Sequence, residues 1–216
     1  EIWYQKAIAI DPNIETAYRY SASPLMKQGK YDKARDRYVE AFIVEPYSRF
    51  ATAGLNQWSK ATNTRLAHPR MDIPKFEIGE DGKAKSTISL GSLFGDEEDP
   101  AALSWIGYTA TRTEWYEKKF KETFPNAKQY RHTLVEETEA LRSVINIANE
   151  LRGKKKKKKI GSQFMTLIEL DEKGLLEAYI LIAIPDNGIA QDHAEYLKNN
   201  RAKLRQYVLE YVIVNK

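Results

Sequence analysis

Internal repetition constrains this chain more than any other feature. Pro12 and Pro46 lie 34 residues apart, and each closes an apolar segment with helical periodicity. The two segments match in detail: Tyr4 and Tyr38 stand eight residues before their prolines, and Ala7 and Ala41 five. Between them Tyr18, Ala22 and Leu25 share one helical face, while Gly29, Tyr31 and Ala34 mark a turn and a new helix start. A period of this length signals stacked supersecondary units, none of which can cover its own apolar face alone. The chain is therefore expected to be mainly all-α, beginning with antiparallel helix hairpins.

The pattern resembles the tetratricopeptide repeat, a helix, turn, helix unit in which small residues let helices approach and aromatic ones fill the gaps. One full repeat reads from Glu15 to Ser48. The second helix of an earlier repeat precedes it over Glu1 to Ile10. A further first helix follows from Arg49 to about Arg65, carrying Phe50, Ala51, Leu55 and Trp58. Pro24 departs from the pattern, because proline inside a helix removes a hydrogen bond and commonly bends it. The resemblance implies a groove lined by first helices, where a peptide or helix of a partner protein lies. It puts Thr16, Arg19, Ser23 and Met26 on that side, followed by Phe50, Ala53, Gln57 and Lys60, as partner-binding residues. The carboxylate clamp of Lys, Asn and Arg that some family members carry has no counterpart here. An opening at Glu1 and Ile2, inside an amphipathic pattern and without Met, reads as a fragment.

Three segments are expected: a repeat region over 1–66, a linker over 67–99 and a helical domain over 100–216. Pro69, Pro74, Gly79, Gly82, Gly91, Gly95 and Pro100 crowd the linker. Within it Phe76 and Ile78, then Ile88 and Leu90, alternate with polar residues around Glu80-Asp81-Gly82, which predicts a short β-hairpin near 75–91. Two strands alone are marginal in water and need a helix to lean on. Asp96 to Asp99 lacks the alternating ligands of a calcium loop; before Pro100 it reads as a helix amino terminus.

From Pro100 to about Phe124, Trp105, Tyr108, Trp115, Tyr116 and Phe120 recur at helical spacing, as a core stripe. The next helix, about Tyr130 to Leu151, aligns Leu134, Leu141, Ile145, Ala148 and Leu151 on one side, with Glu136, Glu137 and Glu139 facing elsewhere. Phe164 to Leu170 forms a short helix. For Leu175 to Ile184 a helix is expected, although periodicity alone does not separate it from a buried strand. A last helix, about Ile189 to Val214, carries Ala190, Ala194, Leu197, Leu204, Val208 and Tyr211, with Arg201 in the slot that breaks the stripe. It is expected to pack within the chain rather than on a partner. The segment before it bears a faint likeness to the tails of bacterial repeat proteins.

Composition narrows the function classes. Lysine and arginine total 34 against 30 acids, but Lys154 to Lys159 supply six of the cations. The remainder is slightly acidic, so no nucleic-acid-binding face is expected. The run itself reads as a solvated loop, with an anion or acidic-lipid contact as the sharper alternative. The absence of cysteine removes thiol chemistry and thiolate metal sites. His68, His132 and His193 stand in separate segments without paired-ligand spacing, so no metal or cofactor is expected. His132 reads as a surface or satisfied histidine. No run is long and apolar enough to span a membrane. The reading is a non-enzymatic scaffold for an unidentified protein partner, with no catalytic residues. The rival is an enzyme sited in the carboxy-terminal helices, drawing on Tyr130, His132, Glu136 and Asp192.

Overall fold

The computed structural model of the protein describes residues 2–79, 82–87, 103–154 and 160–214. Among these residues it is a mostly helical, multi-helix fold with two small two-stranded sheets. The chain divides by its contacts into two compact units, 1–68 with 194–216, and 69–193. The division groups the chain from Ala194 onward with the amino-terminal helices.

In the first unit, helix α1 (Ile2–Ile10) buries no residue. Helix α2 (Glu15–Lys27) buries Ala17, Tyr18, Ala22 and Leu25, and α3 (Tyr31–Val44) buries Ala34, Tyr38, Val39, Ala41, Phe42 and Ile43. Pro24 stands inside α2, which continues through it to Lys27. Gly29 makes the turn between them at φ +69°, a left-handed conformation that costs other residues about 1 kcal/mol or more. There the Lys30 amide donates to Leu25 O at 2.9 Å and that of Gly29 to Met26 O at 3.1 Å, closing the orphan carbonyls of α2.

Helix α4 (Arg49–Thr62) starts where Ser48 Oγ accepts from the Phe50 amide at 3.3 Å. It ends at Asn63, in the left-handed region at φ 53°. Gly54 is the close approach: a Cβ there would lie 2.7 Å from the Tyr38 ring. Trp58, buried on the same helix, donates its Nε1–H to Tyr31 O at 3.0 Å.

Strand β1 (Arg65–Leu66) pairs antiparallel with the tail strand, Ile213–Val214, in the register Arg65↔Val214 and Leu66↔Ile213. The long last helix expected from the sequence is interrupted. A 3₁₀ turn (Ile189–Asp192) leads into an α-helix (His193–Tyr207) whose Asn200 is non-helical at φ −130°, ψ 23°. A π turn (Val208–Val212) then runs into the tail strand. Arg201, directly after the kink, donates to Glu40 Oε2 and to Pro12 O, both at 2.7 Å, and Arg205 donates to Glu40 Oε1 at 2.7 Å. The slot that broke the apolar stripe is thus filled by an ion pair. His68 Nδ1 lies 3.0 Å from the Tyr207 hydroxyl, and burial lowers its pKa.

In the second unit, β2 (Lys75–Ile78) and β3 (Ala84–Thr87) form the expected hairpin, with Gly82 at φ +70° in its loop. The second strand precedes Ile88 and Leu90, which lie outside the described residues, as do Asp96 to Asp99, Pro100 and 155–159. Helix α5 (Ser104–Glu114) supplies the support the hairpin needs. Its Arg112 guanidinium sits 4.7 Å from the Phe76 ring centre, and Tyr116, in the π turn Trp115–Lys119 that follows, donates to Gly82 O at 2.9 Å. A short helix α6 (Phe120–Thr123) closes this stretch.

Helix α7 (Leu134–Lys154) begins at the first residue of its apolar side rather than at about Tyr130, because Thr133 Oγ1 accepts from the Glu136 amide and caps it. It crosses α5 at Gly107, where a Cβ would meet Ile147 Cδ1 at 2.5 Å. Helices α8 (Ser162–Glu172) and α9 (Leu176–Ala183) complete the unit. The second settles the helix-or-strand ambiguity over 175–184: apart from Glu177 it is apolar all round, because it is buried along nearly its whole length.

Candidate functional sites

The partner-binding residues drawn from the repeat pattern fall on two helices of the first unit. Thr16, Arg19, Ser23 and Met26 lie along α2, with Thr16 exposed and the others half-buried; Phe50, Ala53, Gln57 and Lys60 lie along α4, all exposed. Their interactions join the two rows. The Arg19 guanidinium is held by Glu15 at 2.6 Å and lies 4.5 Å from the Tyr20 ring centre and 5.4 Å from that of Phe50. Arg49 approaches the same Phe50 ring at 4.8 Å. Phe50 is 52% exposed yet touched by two cations, each such contact contributing about 0.5–1 kcal/mol at an exposed site. Gln57 Oε1 accepts from the Tyr38 hydroxyl at 3.3 Å. The Glu15 carboxylate is buried beneath Arg19, so the outward charge of this surface is that of Arg19, Arg49 and Lys60.

A cleft of about 410 Å³ in the same unit is lined by Gln5, Leu25, Lys33, Asp36, Arg37, Glu40 and Arg205. Ion pairs cross it: Arg205 reaches Glu40 at 2.7 Å and Asp36 at 3.3 Å. Its walls are thus largely occupied with one another.

The second unit holds a constellation that the apolar pattern concealed. Arg112 on α5 is 5% exposed, and Glu136 and Glu137 on α7 are 0% and 2% exposed. Two of the three glutamates expected to face away from the core are therefore inside it, while Glu139 stays at the surface. A buried charge requires a partner and hydrogen bonds, since its solvation is lost. Arg112 supplies both: Nε donates to Glu136 Oε1 at 2.7 Å, and Nη1 donates to Glu137 Oε2 and to the Tyr108 oxygen, each at 3.0 Å. The Tyr108 hydroxyl donates to Glu137 Oε2 at 2.8 Å and that of Tyr130 to Glu136 Oε1 at 2.7 Å.

His132 extends the network outward, its Nε2 3.1 Å from Glu137 Oε2 and its Nδ1 2.6 Å from Asp186 Oδ2. Asp186 Oδ1 accepts from the amides of Gly188 and Ile189, both at 2.8 Å. Beside it Arg131 donates to Gly188 O at 2.9 Å and pairs with Asp192, whose Oδ2 also accepts from the Leu134 amide at 2.8 Å. Tyr130, His132, Glu136 and Asp192, scattered in sequence, thus converge in one region of this unit.

The two adjacent glutamates are driven apart electrostatically. Burial raises the pKa of Glu136 above its ordinary value despite Arg112 and Tyr130. Burial acts the same way on Glu137, but His132, Arg112 and the Tyr108 hydroxyl outweigh it and lower its pKa. Burial disfavours charge on His132, yet the bonds to Asp186 and Glu137 prevail and raise its pKa above 6.5. Asp186, partly desolvated, is pulled down to about 2 by His132 and the two amides. Among the described residues Glu136 Oε2 is buried without a hydrogen-bond partner.

Arg112, Glu137, Tyr108 and Asp186 were not expected from the sequence to belong to a site. One signal was available: Arg112 falls in register with Trp105, Tyr108 and Trp115, and Glu137 with Leu134 and Leu141. Opposite charges in the apolar registers of two neighbouring helices mark a buried pair.

Among the described residues no group of three or more His, Asp or Glu is placed to hold a metal ion, and no helix is long and apolar enough to cross a membrane. No family model, curated protein or solved structure matches the chain.

Proposed function

We propose that the amino-terminal helices are a tetratricopeptide-type interaction module that holds a peptide or helix of a partner protein across the surface shared by α2 and α4, without a reaction of its own. Several features support the repeat assignment: the left-handed Gly29 turn, the buried Ala22, Ala34 and Ala41, and the Gly54 contact with Tyr38. The observation that carries the binding role is Phe50, a large aromatic left open to solvent but fixed between Arg19 and Arg49. An ordered exposed aromatic flanked by guanidiniums is the composition of an interface anchor. The cations around it select a segment bearing an acidic side chain beside an apolar one.

The test is fluorescence anisotropy of the whole chain against labelled peptides that vary in acidic and apolar content. Phe50→Asp and Arg19→Glu should each weaken the best binder by about 30-fold or more, as hot-spot residues do. Lys198→Glu, a charge change elsewhere on the unit, should leave it within about twofold. Equal losses for all three would reduce the effect to net charge and remove the groove.

A second reading, an enzyme with its site in the carboxy-terminal helices, is favoured by the opposite pKa shifts of Glu136 and Glu137, the signature of acid and base assignments. Against it, most polar atoms of the cluster are occupied by other protein groups, with Glu136 Oε2 the exception. Turnover of a panel of esters, glycosides and amides, abolished by Glu136→Gln, would establish this reading; no turnover by the native chain would retire it.

A further inference from the structure

We propose that His132 is a proton-operated latch, whose doubly protonated ring fastens the segment Pro185–Gly188 to helix α7, and that loss of one proton releases that segment at Asp186. Both ring nitrogens face carboxylate oxygens, at 2.6 Å and 3.1 Å. Only an imidazolium donates from both; a neutral ring must turn one lone pair toward a carboxylate.

Which bond then fails follows from solvation. Glu137 is 3% exposed at its side chain, whereas Asp186 is 52% exposed. A carboxylate that loses a donor in the interior has no water to replace it, while one at the surface is rehydrated. The remaining proton therefore stays on Nε2, toward Glu137, and the contact to Asp186 opens. The other groups around the ring do not offset this. From α5 Arg112 and Tyr108 are committed to Glu136 and Glu137; from α7 Glu136 is tied to Tyr130. Arg131, adjacent in the chain, is paired with Asp192. That pair and the Arg131 bond to Gly188 O do not involve the His132 ring, so they hold the far end while the Asp186 end moves.

The geometry leaves little slack for partial opening. A Cβ on Gly188 would stand 2.4 Å from His132 O, so the segment lies directly on the His132 backbone when closed. The pKa shifts agree in sign: His132 is raised, so the latch is intact below about 6.5 and is lost as pH rises through the folded-state value.

Native-state hydrogen exchange of the whole chain tests this at the Gly188 and Ile189 amides between pH 6 and 9, after correction for the intrinsic rate. Protection should fall by up to about tenfold per pH unit from roughly 6.5, then level off at the pKa of His132 measured by NMR. His132→Gln cannot titrate and should abolish the slope. If it does not fold, Asp186→Asn, which keeps an oxygen for both amides, should flatten the slope and lower the His132 pKa. Protection independent of pH in the native chain, a slope unchanged in Asp186→Asn, or a His132 pKa at or below 6.5 would each overturn the latch.

Discussion

Removing Arg112 is the sharpest probe of the second unit. In Arg112→Met a side chain of similar length keeps the packing against Phe76 and Tyr108, so the cavity term is small. What disappears is the only guanidinium bonded to Glu136 and Glu137 among the described residues, at 2.7 Å and 3.0 Å. Breaking a buried pair by removing one partner costs about 3–5 kcal/mol, because a charge is left uncompensated. Here two carboxylates are left, each keeping a tyrosine hydroxyl and Glu137 also His132, which places the loss within that range rather than at twice it. The stranded glutamates should be driven toward protonation, so the deficit should shrink as pH falls from 7 to 5. Urea denaturation followed by circular dichroism, with exchange of α7 amides to assign the loss to this unit, measures both quantities. Adding Glu136→Gln to Arg112→Met should recover about 1 kcal/mol or more at pH 7. A loss below about 1 kcal/mol, or one that does not change with pH, would mean that the carboxylates are not desolvated as the packing implies.

The Gly54→Ala substitution should cost about 1–3 kcal/mol, since its Cβ would stand 2.7 Å from a Tyr38 ring that is itself 1% exposed; thermal unfolding checks this, and a neutral result would mean that α3 and α4 can separate freely. On the acid side, Asp186 and Glu137 have lowered pKa values, so they contribute stability above their unfolded values of about 3.8 and 4.5 that is lost as pH falls through the folded ones. Asp186→Asn should therefore flatten the acid limb of a stability profile between pH 4 and 2, and an unchanged limb would contradict the shift.

The helical hairpins of the first unit were legible because their core is built from small and aromatic residues at helical spacing. Tyr18, Ala22, Leu25, Ala34, Tyr38 and Ala41 are all buried as the pattern requires. The hairpin strands were legible in type but not in register, since Ala84–Thr87 carries little alternation. The ionic cluster was missed because an apolar pattern treats every charge as outward-facing. Glu136 and Glu137 became buried only when a second helix brought Arg112 opposite them, a long-range fact that no single helix encodes. The interruption at Asn200 was likewise invisible, though its neighbour Arg201 marked the place. There the stripe yields to bonds with Glu40 and Pro12, partners more than 150 residues away.

The pairing of Arg65–Leu66 with Ile213–Val214, together with the Arg201 anchor, imposes an order on folding during synthesis. The stretch 69–193 is continuous and can assemble once translated, but its flanks cannot. At about 5–20 residues per second the early helices wait on the order of ten seconds for their closing strand to leave the ribosome. During that interval the surfaces destined for the final helix stand uncovered, so a ribosome stalled before that helix emerges would leave the first unit open and the second one finished.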